Sequence, residues 1–137
     1  MILVEAEVSG PTGKVDATLV LDTGATSTSL NRNLLRSVGY DPDAATEFVR
    51  MTTGTTVELV PRLTVTRISV LGRHAIGLRV LAHDLPAEAA VDGLLGLDFF
   101  RDQSLTIDFR AGQIDLTNRR IRRVAGAGCP RAYRIDF

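Results

Sequence analysis

Apolar and polar residues alternate with a period of two at the start of the chain, as they do in a half-buried β-strand. The pattern runs through residues 2–8, ILVEAEV, and resumes at residues 15–22, VDATLVLD, after the turn-forming residues GPTGK at 10–14. The two segments predict a β-hairpin with a loop. Asp22 falls where the second strand ends, directly after three apolar residues.

The middle of the chain is rich in β-branched residues. Residues 48–60, 62–70 and 74–82 each have the composition and length of a strand or hairpin, and together they predict an antiparallel meander. The sequence TTGTT places Gly54 at the tip of a hairpin made almost wholly of Thr and Val.

Helical signals are few. Residues 31–38 put three apolar side chains on one helical face, and Gly39 then supplies a left-handed C-terminal cap. A short buried strand is predicted at 92–97, followed by a helical turn that Asp98 can N-cap. Residues 104–118 predict a last hairpin, so about eight strands and two short helices give an all-β fold.

Length and charge indicate one ordinary globular domain. The 137 residues fit a single core, and 16 basic residues balance 16 acidic ones, so charge favours neither nucleic acid nor an anionic membrane as a partner. We expect the domain to occupy residues 1–118, followed by an Arg-rich C-terminal extension at 119–137 that is either solvated or in contact with a dimer partner. The start of the chain lacks a signal-peptide pattern and no segment is long and apolar enough to span a membrane, so we expect a cytoplasmic protein.

Metal and cofactor signals are weak. Cys129 is the single cysteine, so the sequence predicts neither an internal disulfide nor a thiolate cage. His74 and His83 lack a third ligand at suitable spacing, which argues against a zinc site. The aspartates at 92, 98 and 102 fit turn and helix capping better than a carboxylate cluster. We expect no metal and no cofactor.

The segment LVLDTGATSTSL, residues 19–30, carries the strongest candidate chemistry. A carboxylate at the end of a buried strand is partly desolvated and must be hydrogen-bonded, paired or protonated. Thr23 and Gly24 can provide backbone N–H groups in a tight turn around Asp22. A turn-capping role for Asp22 would satisfy the tripeptide alone. The longer context favours a reactive carboxylate.

This segment resembles the active-site signature of retropepsin-like aspartic proteases, in the single-domain bacterial layout. LLGLDFF at 94–100 is similar to the hydrophobic-glycine segment that crosses behind the active-site loop in that family, and the family's order of segments extends from residue 2 to about residue 117. The resemblance implies a closed β-barrel-like lobe with a flap hairpin and one or two short helices. The second glycine segment would consist of Leu94, Leu95 and Gly96.

The resemblance also implies an activity. Two Asp22 carboxylates, one from each subunit of a homodimer, would share a proton and activate a water that hydrolyses a peptide bond. The active-site loop would be supported by Thr23, Gly24, Ala25 and Thr28. The flap that covers the peptide substrate would be formed by Met51, Thr52, Thr53, Gly54, Thr55 and Thr56.

Two other functions remain open on the sequence alone. The first is a catalytically inactive, protease-like module for peptide binding or dimerisation. The second is a phosphate-binding protein of the actin-like fold, because residues 21–28, LDTGATST, also resemble the phosphate loop of that fold. The actin-like fold needs two related subdomains, however, and these do not fit in 137 residues.

The resemblance to the proteases also concerns the end of the chain. A terminal strand in residues 132–137 would bury Ile135 and Phe137 in a dimer interface.

Overall fold

The computed structural model describes residues 1–118 and 131–134, and strands dominate this part of the chain. The strands are β1 (Leu3–Gly10), β2 (Gly13–Leu21), β3 (Ser29–Leu30), β4 (Phe48–Thr53), β5 (Thr56–Val70), β6 (Arg73–Ala82), β7 (Gly93–Leu95), β8 (Gln103–Asp108), β9 (Gln113–Asn118) and β10 (Arg131–Arg134). The helical elements are α1 (Arg32–Ser37) and 3-10 helices at Pro42–Ala44, Ala87–Ala89 and Leu97–Phe100. The predicted all-β class is confirmed.

Six strands close into a barrel. They follow one another in the order β1, β2, β7, β3, β6 and β5, and β5 pairs back with β1 to complete the ring. The inward positions of β1 are Val4, Ala6 and Val8, which alternate with Glu5 and Glu7 as the period of two requires. Burial of a Val or Leu side chain of this kind contributes about 1.5–3 kcal/mol to folding. The barrel thus gives the site a rigid base.

Strand β5 is longer than the sequence predicted. The sequence predicted separate segments at 48–60 and 62–70, yet β5 continues through Pro61 and is 15 residues long. The Arg62 N–H donates to the Glu47 carbonyl on the β4 side, so the nitrogen of Pro61 faces the opposite side, where pairing with β6 begins only at Arg62 and Leu81. No ladder hydrogen bond is lost there, and the proline is tolerated.

The predicted helix after the Asp22 loop forms, although it is short. α1 buries Leu34 and Leu35 against the barrel. Gly39 follows it with φ of +96°, and its N–H donates to the carbonyl of Arg36, as the predicted left-handed cap requires. The helix therefore ends where the glycine allows the chain to reverse.

The three-residue strand β7 lies between β2 and β3, parallel to the former and antiparallel to the latter. Because β7 lies between these two strands, its backbone comes close to the backbone of β3. A Cβ on Gly93 would be 2.2 Å from the carbonyl oxygen of Ser29, so only glycine fits at this crossing. β7 therefore joins the two ends of the Asp22 loop into one unit.

A second sheet extends from the barrel. β8 and β9 form the predicted last hairpin, and β10 pairs with β9 to give the order β10, β9, β8. The segment Arg131–Arg134 thus pairs within its own chain, whereas Ile135 and Phe137 lie outside the described residues. The domain boundary at residue 118 stays a prediction.

None of the helices in the described part of the chain is long and apolar enough to cross a membrane.

Candidate active site

The Asp22 loop begins where β2 leaves the barrel. Asp22 follows the buried Leu21, its backbone N–H donates to the carbonyl of Leu95 at 3.0 Å, and its side chain is half-buried. The backbone is therefore fixed by β7 while the carboxylate lies at the surface of the barrel. A carboxylate in this position can meet water or a second carboxylate.

A tight turn holds the carboxylate in place. The N–H of Gly24 donates to Asp22 Oδ1 at 2.9 Å, and the N–H of Ala25 donates to the carbonyl of Asp22 at 3.2 Å. A Cβ on Gly24 would lie 3.2 Å from the same carboxylate oxygen, which is a tight contact. Glycine thus lets the backbone approach the carboxylate, as the sequence suggested. Thr23 and Gly24 are both exposed at the front of the loop.

The far end of the loop is anchored by Thr28, which is fully buried. Its hydroxyl donates to Asp98 Oδ1 at 2.7 Å and accepts from the N–H of Gly96 at 3.1 Å. Its backbone N–H is 3.0 Å from both oxygens of the Asp98 carboxylate. Every polar group of this side chain is satisfied, so the loop has a defined position relative to the segment behind it.

Asp98 does not have the capping role that the sequence predicted. The 3-10 helix has Gly96 at its N-cap, and the carboxylate of Asp98 turns back to hold Thr28. A buried N–H and hydroxyl are better satisfied by a carboxylate than by solvent that cannot reach them. Asp92 likewise accepts from the Thr18 N–H rather than capping a helix. The sequence offered no signal for a contact between residues 70 positions apart.

The second glycine segment crosses directly behind the loop. Leu94 and Leu95 pair with β2, and the N–H of Leu97 donates to the carbonyl of Ala25 at 2.9 Å. A Cβ on Gly96 would lie 2.6 Å from the backbone carbon of Ser27, so the segment and the loop are in backbone contact. The structure thus brings together the predicted residues Asp22, Thr23, Gly24, Ala25, Thr28, Leu94, Leu95 and Gly96.

The predicted flap residues lie in a separate hairpin. β4 and β5 pair from Phe48 with Pro61 to Thr53 with Thr56, leaving Gly54 and Thr55 in a two-residue turn. Gly54 has φ of +59°, which glycine adopts without strain. Among the strands of the described residues, β4 pairs only with β5, so the hairpin extends beyond the barrel. Its role as a flap stays a prediction.

A comparison with models of known protein families finds a match for this chain. A sequence model of the aspartyl protease family matches residues 4–99, which is well over half of the chain. The matched range includes the Asp22 loop, the hairpin with Gly54 and the segment from Gly93 to Gly96. No curated protein sequence matches the chain significantly.

Solved structures show the same fold. A retropepsin-like aspartic protease from Rickettsia conorii superposes with a TM-score of 0.58 at 19% identity, covering 77% of this chain and 75% of its own. The retroviral protease-like domain of Ddi1 from Leishmania major superposes with a TM-score of 0.54 at 16% identity, covering 83% and 86%. The predicted retropepsin-like fold is confirmed, and the actin-like alternative is wrong because it requires a different fold.

Proposed function

Because the chain belongs to the aspartyl protease family, we propose that it is an endopeptidase whose active site is formed by Asp22 from each subunit of a homodimer. The observation that carries the proposal is the Asp22 carboxylate, which the Gly24 N–H orients at the exposed end of a buried strand. The natural substrate would be a peptide segment bound in an extended conformation.

The reaction needs two carboxylates with different protonation. Two like charges a few ångströms apart cannot both ionise, so the pair would hold one shared proton. The ionised Asp22 takes a proton from the attacking water, and Asp22 of the partner subunit donates its proton to the oxygen of the scissile carbonyl. The first Asp22 then gives the proton taken from water to the leaving nitrogen, the C–N bond breaks, and Asp22 of the partner subunit regains a proton from a hydroxyl of the intermediate. No covalent bond to the enzyme forms.

The need for a dimer follows from the loop itself. Residues 22–28, DTGATST, contain one carboxylate, and the acid behind the loop, Asp98, is engaged by Thr28. A second chain related by a two-fold axis would bring a second Asp22 to the first, in the closed arrangement that is commonest among oligomers. The exposed Thr23 and Gly24 would then face the same residues of the partner.

The hairpin with Gly54 would cover the substrate. Val57 and Leu59 are 53% and 64% exposed, although both are apolar. They share one hairpin face with their cross-strand partners Thr52 and Arg50. An extended peptide could bury this face and exclude water from the dyad, as lids do in other enzymes.

Activity should have an acidic optimum. We expect cleavage of denatured casein to be fastest at about pH 4–6 and to fall as the pH rises to about 8, because the shared proton that must reach the carbonyl is then lost. The cleavage should stop on addition of a statine-type inhibitor. Circular dichroism and size-exclusion chromatography at each pH control for unfolding and dissociation. Full activity persisting into alkaline buffer with no effect of the inhibitor would contradict the proposal.

A further inference from the structure

A groove next to the active-site loop is lined by an excess of positive charge. It has a volume of about 460 Å³ and includes Thr26 and Ser27 of the loop together with residues 73–79 of β6. Four arginines contribute to its surface: Arg62, Arg73, Arg79 and Arg101. Because Thr26 is only four residues from Asp22, their Cα atoms lie within about 14 Å of each other, and the groove starts beside the proposed catalytic loop.

Arg73 is held in the groove by uncharged partners. Its guanidinium carbon lies 5.6 Å from the ring centroid of the fully buried Phe99, and its Nη1 donates to the carbonyl of Arg101 at 3.2 Å. Both contacts fix the guanidinium, but neither partner carries a negative charge. Its Nε is buried and has no hydrogen-bond partner within the described residues. A ligand in the groove would therefore have to bind the terminal nitrogens of this guanidinium, because the Nε is closed to solvent.

Arg62 and Arg79 have one carboxylate between them. Glu47 Oε1 is 3.5 Å from Arg62 Nη1 and also contacts Arg79 Nη2. A single negative charge thus faces two positive ones. The Nε of Arg62, like that of Arg73, is buried without a hydrogen-bond partner within the part of the chain that the structure describes.

The acidic residues of the groove do not remove this excess. Asp98 and Asp102 line it, but Asp98 accepts three hydrogen bonds from Thr28, and Asp102 takes part in an interaction of its own. Even with Glu47 added, the four guanidinium groups outnumber three carboxylates. The donors in this groove match the planar, two-oxygen geometry of a carboxylate.

We propose that this groove is a specificity subsite for an acidic side chain of the substrate, an inference that rests on the proposed protease function. An extended peptide advances about 3.3 Å per residue, so a Glu or Asp two to four residues from the scissile bond would reach the groove. Its carboxylate would accept hydrogen bonds from the terminal nitrogens of the groove's guanidinium groups and balance the excess charge. The enzyme would therefore select peptides that are acidic on one side of the cleaved bond.

The test measures binding separately from cleavage. Labelled peptides that differ only in Glu or Gln at each position near a cleavable bond are titrated with the Asp22→Asn protein, and fluorescence anisotropy gives Kd. We expect the best Glu peptide to bind at least about fivefold more tightly than its Gln counterpart at low salt. Arg73→Gln and Arg101→Gln should each reduce that ratio towards one. Lys14→Gln, which removes a charge from the distant β1–β2 turn, should leave the ratio unchanged.

Several results would overturn the subsite. Equal affinity for the Glu and Gln peptides would do so, as would binding of neither peptide. A ratio that survives both Arg73→Gln and Arg101→Gln in folded proteins would also overturn it. Arg101 is exposed, so its variant tests the charge even if Arg73→Gln fails to fold. Cleavage of the Gln peptide by the wild-type protein reports the protease function independently. That activity can therefore hold while the subsite fails, and a Glu preference in binding can hold without cleavage.

Discussion

Replacement of Asp22 by Asn should abolish peptide cleavage while leaving the fold intact. Asparagine has nearly the same shape and retains an oxygen that can accept the Gly24 N–H, so the loop should keep its turn. It cannot take a proton from water at any working pH. We expect the cleavage rate at the optimum pH to fall by roughly a thousandfold or more.

The control for this substitution is on β2, the strand that leads into the Asp22 loop. Asp16 is exposed on β2, and Asp16→Asn removes the same charge from a position outside the loop. It should keep nearly full activity, and both variants should unfold within about 1 kcal/mol of the wild type in urea. If folded Asp22→Asn retained a tenth or more of the activity, Asp22 would not be the catalytic acid.

Replacement of Asp98 by Ala should destabilise the domain and loosen the active-site loop. The substitution leaves the buried N–H and hydroxyl of Thr28 without their acceptor, and the hydroxyl is also the acceptor for the N–H of Gly96. Loss of such a charge-assisted network costs about 2–4 kcal/mol in the free energy of unfolding. Urea unfolding followed by circular dichroism measures this cost, and proteolysis assays should show a parallel loss of activity.

Asp43→Ala provides the matched comparison. The Asp43 side chain is 72% exposed and pairs with Arg36 on the surface, so its loss should cost less than about 1 kcal/mol. Similar unfolding midpoints for Asp98→Ala and Asp43→Ala would show that the Thr28 contacts do not stabilise the loop. A large loss confined to Asp98→Ala would identify those contacts as the brace of the site.

Local features of the site could be predicted from the sequence. The β1–β2 hairpin, the helix cap at Gly39 and the turn at Gly54 each depend on residues close together in the chain, where glycine placement and apolar alternation decide the geometry. The glycine at 96 was informative because only glycine allows the backbone contact that the structure has there.

Contacts between distant segments could not be predicted in this way. Asp98 was expected to cap a helix, because an Asp near a helical turn commonly does, but a buried threonine from 70 residues earlier takes its carboxylate. The segments predicted at 48–60 and 62–70 form one strand, because pairing with β6 begins only after Pro61, and the sequence did not reveal that register. The groove next to the active-site loop takes its four arginines from β5, β6 and the segment after Phe100, so no single stretch of sequence reveals it.

The most direct test of the shared site is a mixing experiment. Wild-type and Asp22→Asn chains are unfolded, mixed in equal amounts and refolded together at a fixed total concentration, with the dimer content checked by size-exclusion chromatography. Random pairing makes about a quarter of the dimers wild type on both sides. If each site needs two Asp22 carboxylates, the mixture should retain about a quarter of the wild-type activity. Retention of about half would show that each chain carries a complete site by itself, and would contradict the shared dyad.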